Sequence, residues 1–508
     1  MSEPRTAPAA EPMTHKEIME VLFGLLSALF VAIVSATIVS TALPTIIGEL
    51  HGTQTQYTWV VTASLLAMTV SGPVWSKLSD LLNKKLLVQL AIGVFLVGSI
   101  GAGLVQGVPE LLAARAVQGL GMGGLIALSQ SIIGAIIAPR ERGRYSGYLA
   151  GTMAVGTISG PLLGGVIVDV LGWRWCFFVT VPFALLALYM LQRFLHIGHV
   201  RREVRIDWWG ALFISIAASL PMIWVSFAGH DFAWLSRETA MFWAGTLAAL
   251  AIAVMIERRH SEPMVPPRIV VERTTMLAIL ASVAVGIAQF GSSVFLAQYF
   301  QVARGHTPTI AGLLMLPMIL GSLVGSAGSG AFITRTGEWK RPMLGGSVIL
   351  MLGLLAMGLV DHTTPMWELS IFMLLMGLGT GMLMQNIVLV VQNTVDVSDV
   401  GTASGVVTFF RSLGGAMGVA VLGAILATSV HDKIAEGLAA LGVPAGSSVA
   451  GNLDLASLPT PVLHVVRTAY ADATGQIFFV AGCITLLTLV AIAFMPRTEL
   501  RTTLDKHD

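Results

Sequence analysis

The sequence predicts an all-α integral membrane protein: two six-helix bundles forming a parallel internal repeat, plus two inserted helices, 14 transmembrane helices in all, with N- and C-termini cytoplasmic. Three observations carry this. Of 508 residues, 55% are hydrophobic and only 11% charged, well outside the range of soluble domains. The apolar residues form fourteen stretches of roughly 18–25 residues, the length at which an α-helix crosses hydrocarbon while satisfying its own backbone. The chain also repeats itself. Ser146, Gly147, Gly156, Gly160 and Gly165 recur 258 positions later as Ser404, Gly405, Gly414, Gly418 and Gly423. Gly119, Gly121 and Gly123 recur at the same offset as Gly377, Gly379 and Gly381. This shift matches span 4 to span 12 and span 5 to span 13. A shift of eight spans is even, so both copies share one orientation.

Taken in order, residues 1–20 form a cytoplasmic N-terminal tail with no cleavable apolar segment, which makes the first span an anchor. The N-terminal six-helix bundle occupies 21–198, and two inserted helices with their linkers occupy 199–272. The C-terminal six-helix bundle occupies 273–496 and contains a long extracellular loop, 430–475, in which Ile434–Leu441 reads as a short amphipathic helix. Residues 497–508 form a second cytoplasmic tail. Orientation follows from the basic residues: 22 of the 29 lie on segments assigned to the inside, five outside, and two, Arg115 and Arg411, within spans. The formal net charge of +1 gives no indication of a nucleic-acid partner. Cys176 and Cys483 need no disulfide, and no metal-ligand spacing appears. No catalytic constellation, metal or organic cofactor is expected.

The informative residues are those that the repeat does not share. The first copy carries Arg115 and Pro161 where the second has Met373 and Val419. Echoed glycines let helices approach closely, and tight packing explains them without a functional role. A scaffold common to both halves does not explain the arginine or the proline. A charge inside a span costs several kcal/mol unless it is paired or wet, so Arg115 reads as a substrate or coupling residue; Arg411 is open to either reading. Pro161 removes a helical hydrogen bond and should bend span 5 where the bundles meet. Gly156, Gly160, Pro161, Gly164 and Gly165 are therefore a candidate conformational motif. Gln118, Gln130, Gln289, Gln385 and Asn386 are polar positions on spans, suited either to lining a transport path or to interhelical hydrogen bonds. Many of the 24 methionines would give an adaptable apolar lining.

These residues resemble the major facilitator superfamily, and within it the fourteen-helix drug:proton antiporters of multidrug-efflux type. Gly147-x8-Gly156-x3-Gly160-Pro161-x2-Gly164-Gly165 is similar to the family's span 5 antiporter motif. Leu111-xxx-Arg115-xx-Gln118-Gly119 is similar to its span 4 motif. Trp173-Arg174-Trp175-x-Phe177, Asp207-Trp208-x-Gly210, Ala311-Gly312-Leu313-x3-Pro317 and Arg411-x-Leu413-Gly414-Gly415 resemble further family segments in the right order. The resemblance implies a major-facilitator fold in the cell inner (plasma) membrane, and alternating access without a cofactor, energised by the proton gradient. It also implies a cytoplasmic charge latch, here Asp80, Lys84 and Lys85 with Arg144, although Ser76, Leu81 and Asn83 depart from the family pattern.

The largest departure is in span 1, where Ser35 stands at the family's acidic position and Ser40 replaces its asparagine. No Asp, Glu or His lies near the middle of any span. Serine does not titrate near neutrality, so the usual buried proton carrier and cation-attracting group is missing. The expected partners are therefore amphiphilic small molecules of anionic, neutral or lipid-like character, together with membrane lipids, and the expected unit is a monomer. The expected function is a secondary active exporter whose cavity suits cations less than usual. An alternative is a lipid or envelope-precursor flippase of the same fold, with an anionic headgroup on Arg115. A non-transporting sensor or scaffold would have no use for the intramembrane arginine.

Overall fold

Apolar helices that can offer their backbone polar groups no outside partner assemble side by side. The computed structural model describes residues 15–136, 142–195, 207–227, 232–233, 235–259, 267–395, 400–441 and 459–498, and among these every regular element is a helix. The N-terminal bundle comprises α1 (His15–Glu49), α2 (Gln54–Leu81), α3 (Lys84–Leu104), α4 (Val108–Ile136), α5 (Arg142–Leu171), α6 (Trp175–Phe178) and α7 (Thr180–Phe194). The inserted pair is α8 (Trp208–Phe227) and α9 (Arg237–Arg259), followed by the short α10 (Pro267–Val270). The C-terminal bundle comprises α11 (Arg273–Gln298), continued by a π-helical turn at Tyr299–Ala303, then α12 (Pro308–Leu314), α13 (Leu316–Thr336), α14 (Lys340–Met357), α15 (Met366–Thr394), α16 (Val400–Ala440) and α17 (Thr460–Phe494). Among the described residues, thirteen helical segments are long and apolar enough to cross a membrane. The 30-residue α5 adds the shorter apolar stretch Ser159–Leu171.

The duplication is visible in the helix starts. α4 and α15 begin at Val108 and Met366, separated by the same 258 positions as the glycines. Packing repeats as well. Gly119 of α4 presses on the Ser64 carbonyl of α2, and its copy Gly377 of α15 presses on the Met318 carbonyl of α13. Small residues at such crossings let backbones meet without a side chain between them. Outward-facing positions are apolar, among them Val97, Leu104, Val170, Leu247, Val324 and Phe494, as lipid contact requires.

Helix ends are capped from the sequence. Thr53 forms a reciprocal capping box with Gln56 at the start of α2. The Asp207 carboxylate accepts the Gly210 N–H at 2.7 Å and so caps α8. A Cβ on Gly210 would strike that carboxylate, which explains the Asp207-Trp208-x-Gly210 spacing. α8 packs on α9 through a Trp224–Thr239 hydrogen bond of 3.0 Å and an edge-on Trp224–Trp243 contact.

Two boundaries differ from the sequence reading. α1 already includes His15, inside the segment 1–20 assigned to the tail. The extracellular loop expected over 430–475 is mostly helix: α16 continues to Ala440, so Ile434–Leu441 is not a separate amphipathic helix, and α17 begins at Thr460. The reason is burial. Ile434, Leu438 and Val466 are buried, Gly437 lies against Val465, and Lys433 faces Asp472 at 3.6 Å. The end of α16 and the start of α17 pack against each other, with residues 442–458 outside the described set.

Candidate functional site

The N-terminal bundle holds a polar cluster in an otherwise apolar interior. Arg115 and Gln118 lie one turn apart on α4, so their side chains share a face. Both are buried, with Ser35 of α1 and Ser99 of α3 buried opposite them. Gln118 Nε2 donates to Ser35 Oγ at 3.0 Å and to Ser99 Oγ at 2.7 Å. Gln118 Oε1 accepts from an Arg115 terminal nitrogen. Arg115 Nε has no partner, and no carboxylate pairs with this guanidinium among the described residues. The amide of Gln118 thus relays between the arginine and the serine standing at the family's acidic position.

The C-terminal bundle shows what the same scaffold holds without that cluster. Gly98 of α3 packs on the Gln118 backbone, and Gly353 of α14 packs on the Met376 backbone. Gly156 and Gly160 of α5 pack on Ile33 and Thr37 of α1, while Gly414 and Gly418 of α16 pack on Val283 and Ile287 of α11. These contacts align Arg115 with Met373, Gln118 with Met376, Ser99 with Leu354 and Ser35 with Val285. All four counterparts are buried and apolar. The fold therefore accommodates hydrophobic residues at every position of the polar cluster.

Of the candidate conformational motif, Pro161 and Gly165 lie where the bundles touch, while Gly156, Gly160 and Gly164 pack on α1. A Cβ on Gly165 would strike the backbone of Pro308 and Thr309, and one on Gly312 would strike the Pro161 carbonyl, so α5 and α12 meet backbone to backbone. Asp169 at the end of α5 accepts the Thr309 N–H at 3.1 Å. A Cβ on Gly164 would crowd the Ile38 backbone of α1. Close by, a polar seal joins α1 and α2 to α11 and α17. Gln54 Nε2 donates to Gln298 Oε1 at 3.2 Å, and Gln298 Nε2 donates back to Gln54 Oε1. Tyr470 donates to Gln54 Oε1 at 3.3 Å, and Tyr57 to the Val294 carbonyl at 3.1 Å. On the π-helical turn, Gln301 Nε2 donates to the Thr41 carbonyl at 2.6 Å. All of these contacts lie at the end of the molecule reached by the C-terminus of α1.

Introducing a branched side chain at the α5–α12 contact should open this end. Gly312→Val puts a methyl-bearing carbon onto backbone that cannot rotate away, at a cost of about 1–3 kcal/mol to the closed arrangement. The expected result is faster thiol labelling of a Thr309→Cys reporter in a Cys176→Ser/Cys483→Ser background. Labelling no faster than in the parent would show that the contact does not hold this end closed.

The other sequence-selected residues are placed separately. Gln289 of α11 has a buried Oε1 without a donor. Gln385 is exposed. Asn386 is buried and ties α15 to α13 by donating to Ser329 Oγ at 2.9 Å. None of the three joins the Arg115 cluster. Lys84 Nζ donates to the Ser79 carbonyl at 2.8 Å and Ser131 Oγ at 2.9 Å, and Lys85 Nζ to the Gln192 carbonyl at 2.7 Å, so these bonds stay within the N-terminal bundle. The side chains of Asp80, Gln130 and Arg144 lie outside the described residues. Outside the apolar layer, the Thr363 and Thr364 hydroxyls and the Thr363 N–H hydrogen-bond Asp361 and hold its carboxyl down at about 2.

Two duplicated helical bundles, a buried polar cluster in one of them and a backbone-to-backbone seal between them define a multi-pass membrane transporter, not an enzyme. The sequence pattern of the Major Facilitator Superfamily matches residues 25–419, and the chain belongs to this family. An uncharacterised MFS-type transporter of Mycobacterium tuberculosis (strain ATCC 25618 / H37Rv) is 32% identical over 510 aligned residues, covering 99% of this chain and 74% of the relative. The efflux pump dotC of Dothistroma septosporum is 31% identical, covering 95% and 84%. Multidrug resistance protein 3 of Bacillus subtilis is 26% identical, covering 95% and 96%. Among solved structures, a bacterial homologue of the human lysosomal transporter Spinster, in an inward-facing and unoccupied conformation, has a TM-score of 0.65 at 15% identity, covering 95% of this chain and 97% of that one. At that identity the likeness speaks for the fold alone.

Proposed function

We propose that the protein is a secondary active exporter of amphiphilic small molecules, of the multidrug-efflux type, working by alternating access and driven by proton antiport. Relatives named as efflux and multidrug resistance proteins support export. The observation that carries the reading is the Arg115–Gln118–Ser35–Ser99 cluster, which the scaffold itself does not need, since the C-terminal bundle fills the matching positions with Met373, Met376, Val285 and Leu354. An intramembrane charge without a structural task is a functional group by default. In this reading α5 is the fourteenth span, both termini are cytoplasmic, the protein acts as a monomer, and the Gln54–Gln298 seal closes the outer end. Ser35 leaves the cluster without a titratable acid, so cations are poorer substrates than anionic or neutral amphiphiles. The coupling proton then travels on an acid nearer the span ends, such as Asp80, or on the substrate. A substrate biases the two states only through unequal binding to them.

Inverted membrane vesicles with a respiration-driven pH gradient and a pH-sensitive dye test this. Matched cationic, neutral and anionic amphiphiles are added in turn. Protein-dependent collapse of the gradient by neutral or anionic compounds supports proton-coupled export. Protein-dependent movement without collapse removes the antiport, and no movement of any compound removes the exporter reading.

A further inference from the structure

Among the described residues, the interiors of the two bundles contain arginine but no carboxylate. In the C-terminal bundle, α11, α13 and α14 carry no acid. Glu368 lies in the first turn of α15, Asp432 and Glu436 near the end of α16, and Asp472 faces Lys433 at 3.6 Å. Arg411 sits well inside, in the apolar segment of α16 that runs from Ala403. Its backbone carbonyl is pressed against Gly286 of α11, which fixes the helix at this level. Its side chain is half-buried and makes one hydrogen bond, from a terminal nitrogen to the Met384 carbonyl of α15 at 3.2 Å. A guanidinium offers five N–H donors in a planar fork that matches a carboxylate, sulfonate or phosphate. A main-chain carbonyl occupies one donor and neutralises no charge. On α11, the helix against which Arg411 packs, Gln289 keeps a buried Oε1 with no donor.

The repeat makes Arg411 as dispensable to the scaffold as Arg115. Shifted back by 258 positions, Arg411 falls on Met153 of α5, just as Arg115 shifted forward falls on Met373. Each bundle has therefore acquired one arginine where its copy has methionine. Two unneutralised cations in a low-dielectric interior repel a cationic guest and attract an anionic one.

We infer that Arg411 is a specificity-determining residue: it supplies, from the C-terminal bundle, a positive charge that pairs with an anionic group of the transported amphiphile, as Arg115 does from the N-terminal bundle. The substrate class is an organic anion, a carboxylate, sulfonate or phosphate ester on an apolar body. This rests on the exporter reading. With one cation on each bundle, the charge that holds the substrate also registers how the two halves are arranged around it.

The test uses the purified full chain in phosphatidylcholine liposomes and three amphiphiles built on one apolar body: a sulfonate, a neutral amide and a quaternary ammonium. Wild type should take the sulfonate with a lower KM than the amide. Arg411→Gln should raise the KM for sulfonate relative to amide by at least about tenfold, and Arg411→Lys should recover most of that ratio. A structural role would lower transport of all three compounds alike and leave the ratio unmoved; that result, or a wild-type preference for the ammonium compound, overturns the inference. If wild type moves none of the three, the exporter reading fails and the inference with it, and this outcome is distinct from a lost charge preference. Adding phosphatidylglycerol identifies the source of the anion. Competition with the sulfonate in wild type that weakens in Arg411→Gln assigns the same charge recognition to a lipid headgroup, whereas absence of competition assigns it to the free amphiphile.

Discussion

Replacing Arg115 with methionine is expected to lower export of anionic amphiphiles by roughly thirtyfold or more, and replacing the whole polar cluster with the apolar set of the other bundle should not lower the melting temperature of the purified protein. The two halves of this expectation have separate grounds. Loss of transport follows if the guanidinium meets the substrate, because removing one member of a desolvated charge pair costs about 2–5 kcal/mol. Retained stability follows from the absence of an ion pair: Arg115 has a buried Nε with no partner and only the Gln118 amide for company. Replacing buried charge with apolar residues of similar volume is often neutral or stabilising by about 1–4 kcal/mol. The single variant does leave Gln118 Oε1 without its donor, at about 1–3 kcal/mol. The quadruple variant Arg115→Met/Gln118→Met/Ser35→Val/Ser99→Leu removes that penalty without stranding the two serine hydroxyls that Gln118 serves, and copies the Met373, Met376, Val285 and Leu354 set of the other bundle. Its melting temperature should match or exceed that of wild type. A clear drop in melting temperature with transport preserved would make the cluster structural. Ser35→Asp is the converse experiment. It places a carboxylate beside Gln118, one residue removed from Arg115, and should move selectivity toward cations; an unmoved preference would separate Ser35 from substrate choice.

Much of this architecture was legible in the residues because the membrane imposes one-dimensional rules. Length and apolarity give spans, and the 258-residue offset between the glycines gave the repeat before any contact was known. The helix starts of α4 and α15 keep that offset. Arg115 stands out as a charge on an apolar helix whose copy has Met373 there, and Gln118 as a polar position on the same span. Ser99 does not, since a serine in a span is common and its importance lies in facing Gln118 from another helix. The ends of α16 and α17 read as loop because Pro444, Gly446, Pro459 and Pro461 lie near or within the connection, while the buried cluster that holds Ile434, Leu438 and Val466 joins positions distant in sequence. Gln54 was invisible in another way. At the first residue of α2 a glutamine resembles an ordinary water-facing helix end, and only the approach of α11 and α17 turns it into a buried group.

Substituting Gln54 alone should loosen the outer end more than substituting both members of its amide pair. Gln54 and Gln298 are buried and exchange hydrogen bonds across the bundle interface, and each side chain is satisfied only while the other stays in place. Gln54→Leu leaves the Gln298 amide buried and unpaired and removes the acceptor for Tyr470, at about 1–3 kcal/mol. When the bundles part at this end, water can serve those groups, so the penalty falls on the closed state alone. The equilibrium should therefore shift toward the open state by roughly 5- to 150-fold. A Thr45→Cys reporter in the Cys176→Ser/Cys483→Ser background reads this directly, because Thr45 sits beside Gln301 in the same seal. Labelling by a membrane-impermeant thiol reagent should accelerate in Gln54→Leu. In Gln54→Leu/Gln298→Leu two apolar side chains meet with neither amide stranded, so labelling should fall back toward the parent, although Tyr470 still lacks its acceptor. Additive acceleration in the double variant would mean that the two glutamines act independently and that the seal rests on the α5–α12 backbone contact. A double variant that closes as firmly as wild type but transports poorly would carry a further consequence. The amide pair would then serve the cycle by being easy to break, since leucines packed at the same place have no hydrogen-bonding demand for water to satisfy when the gate opens.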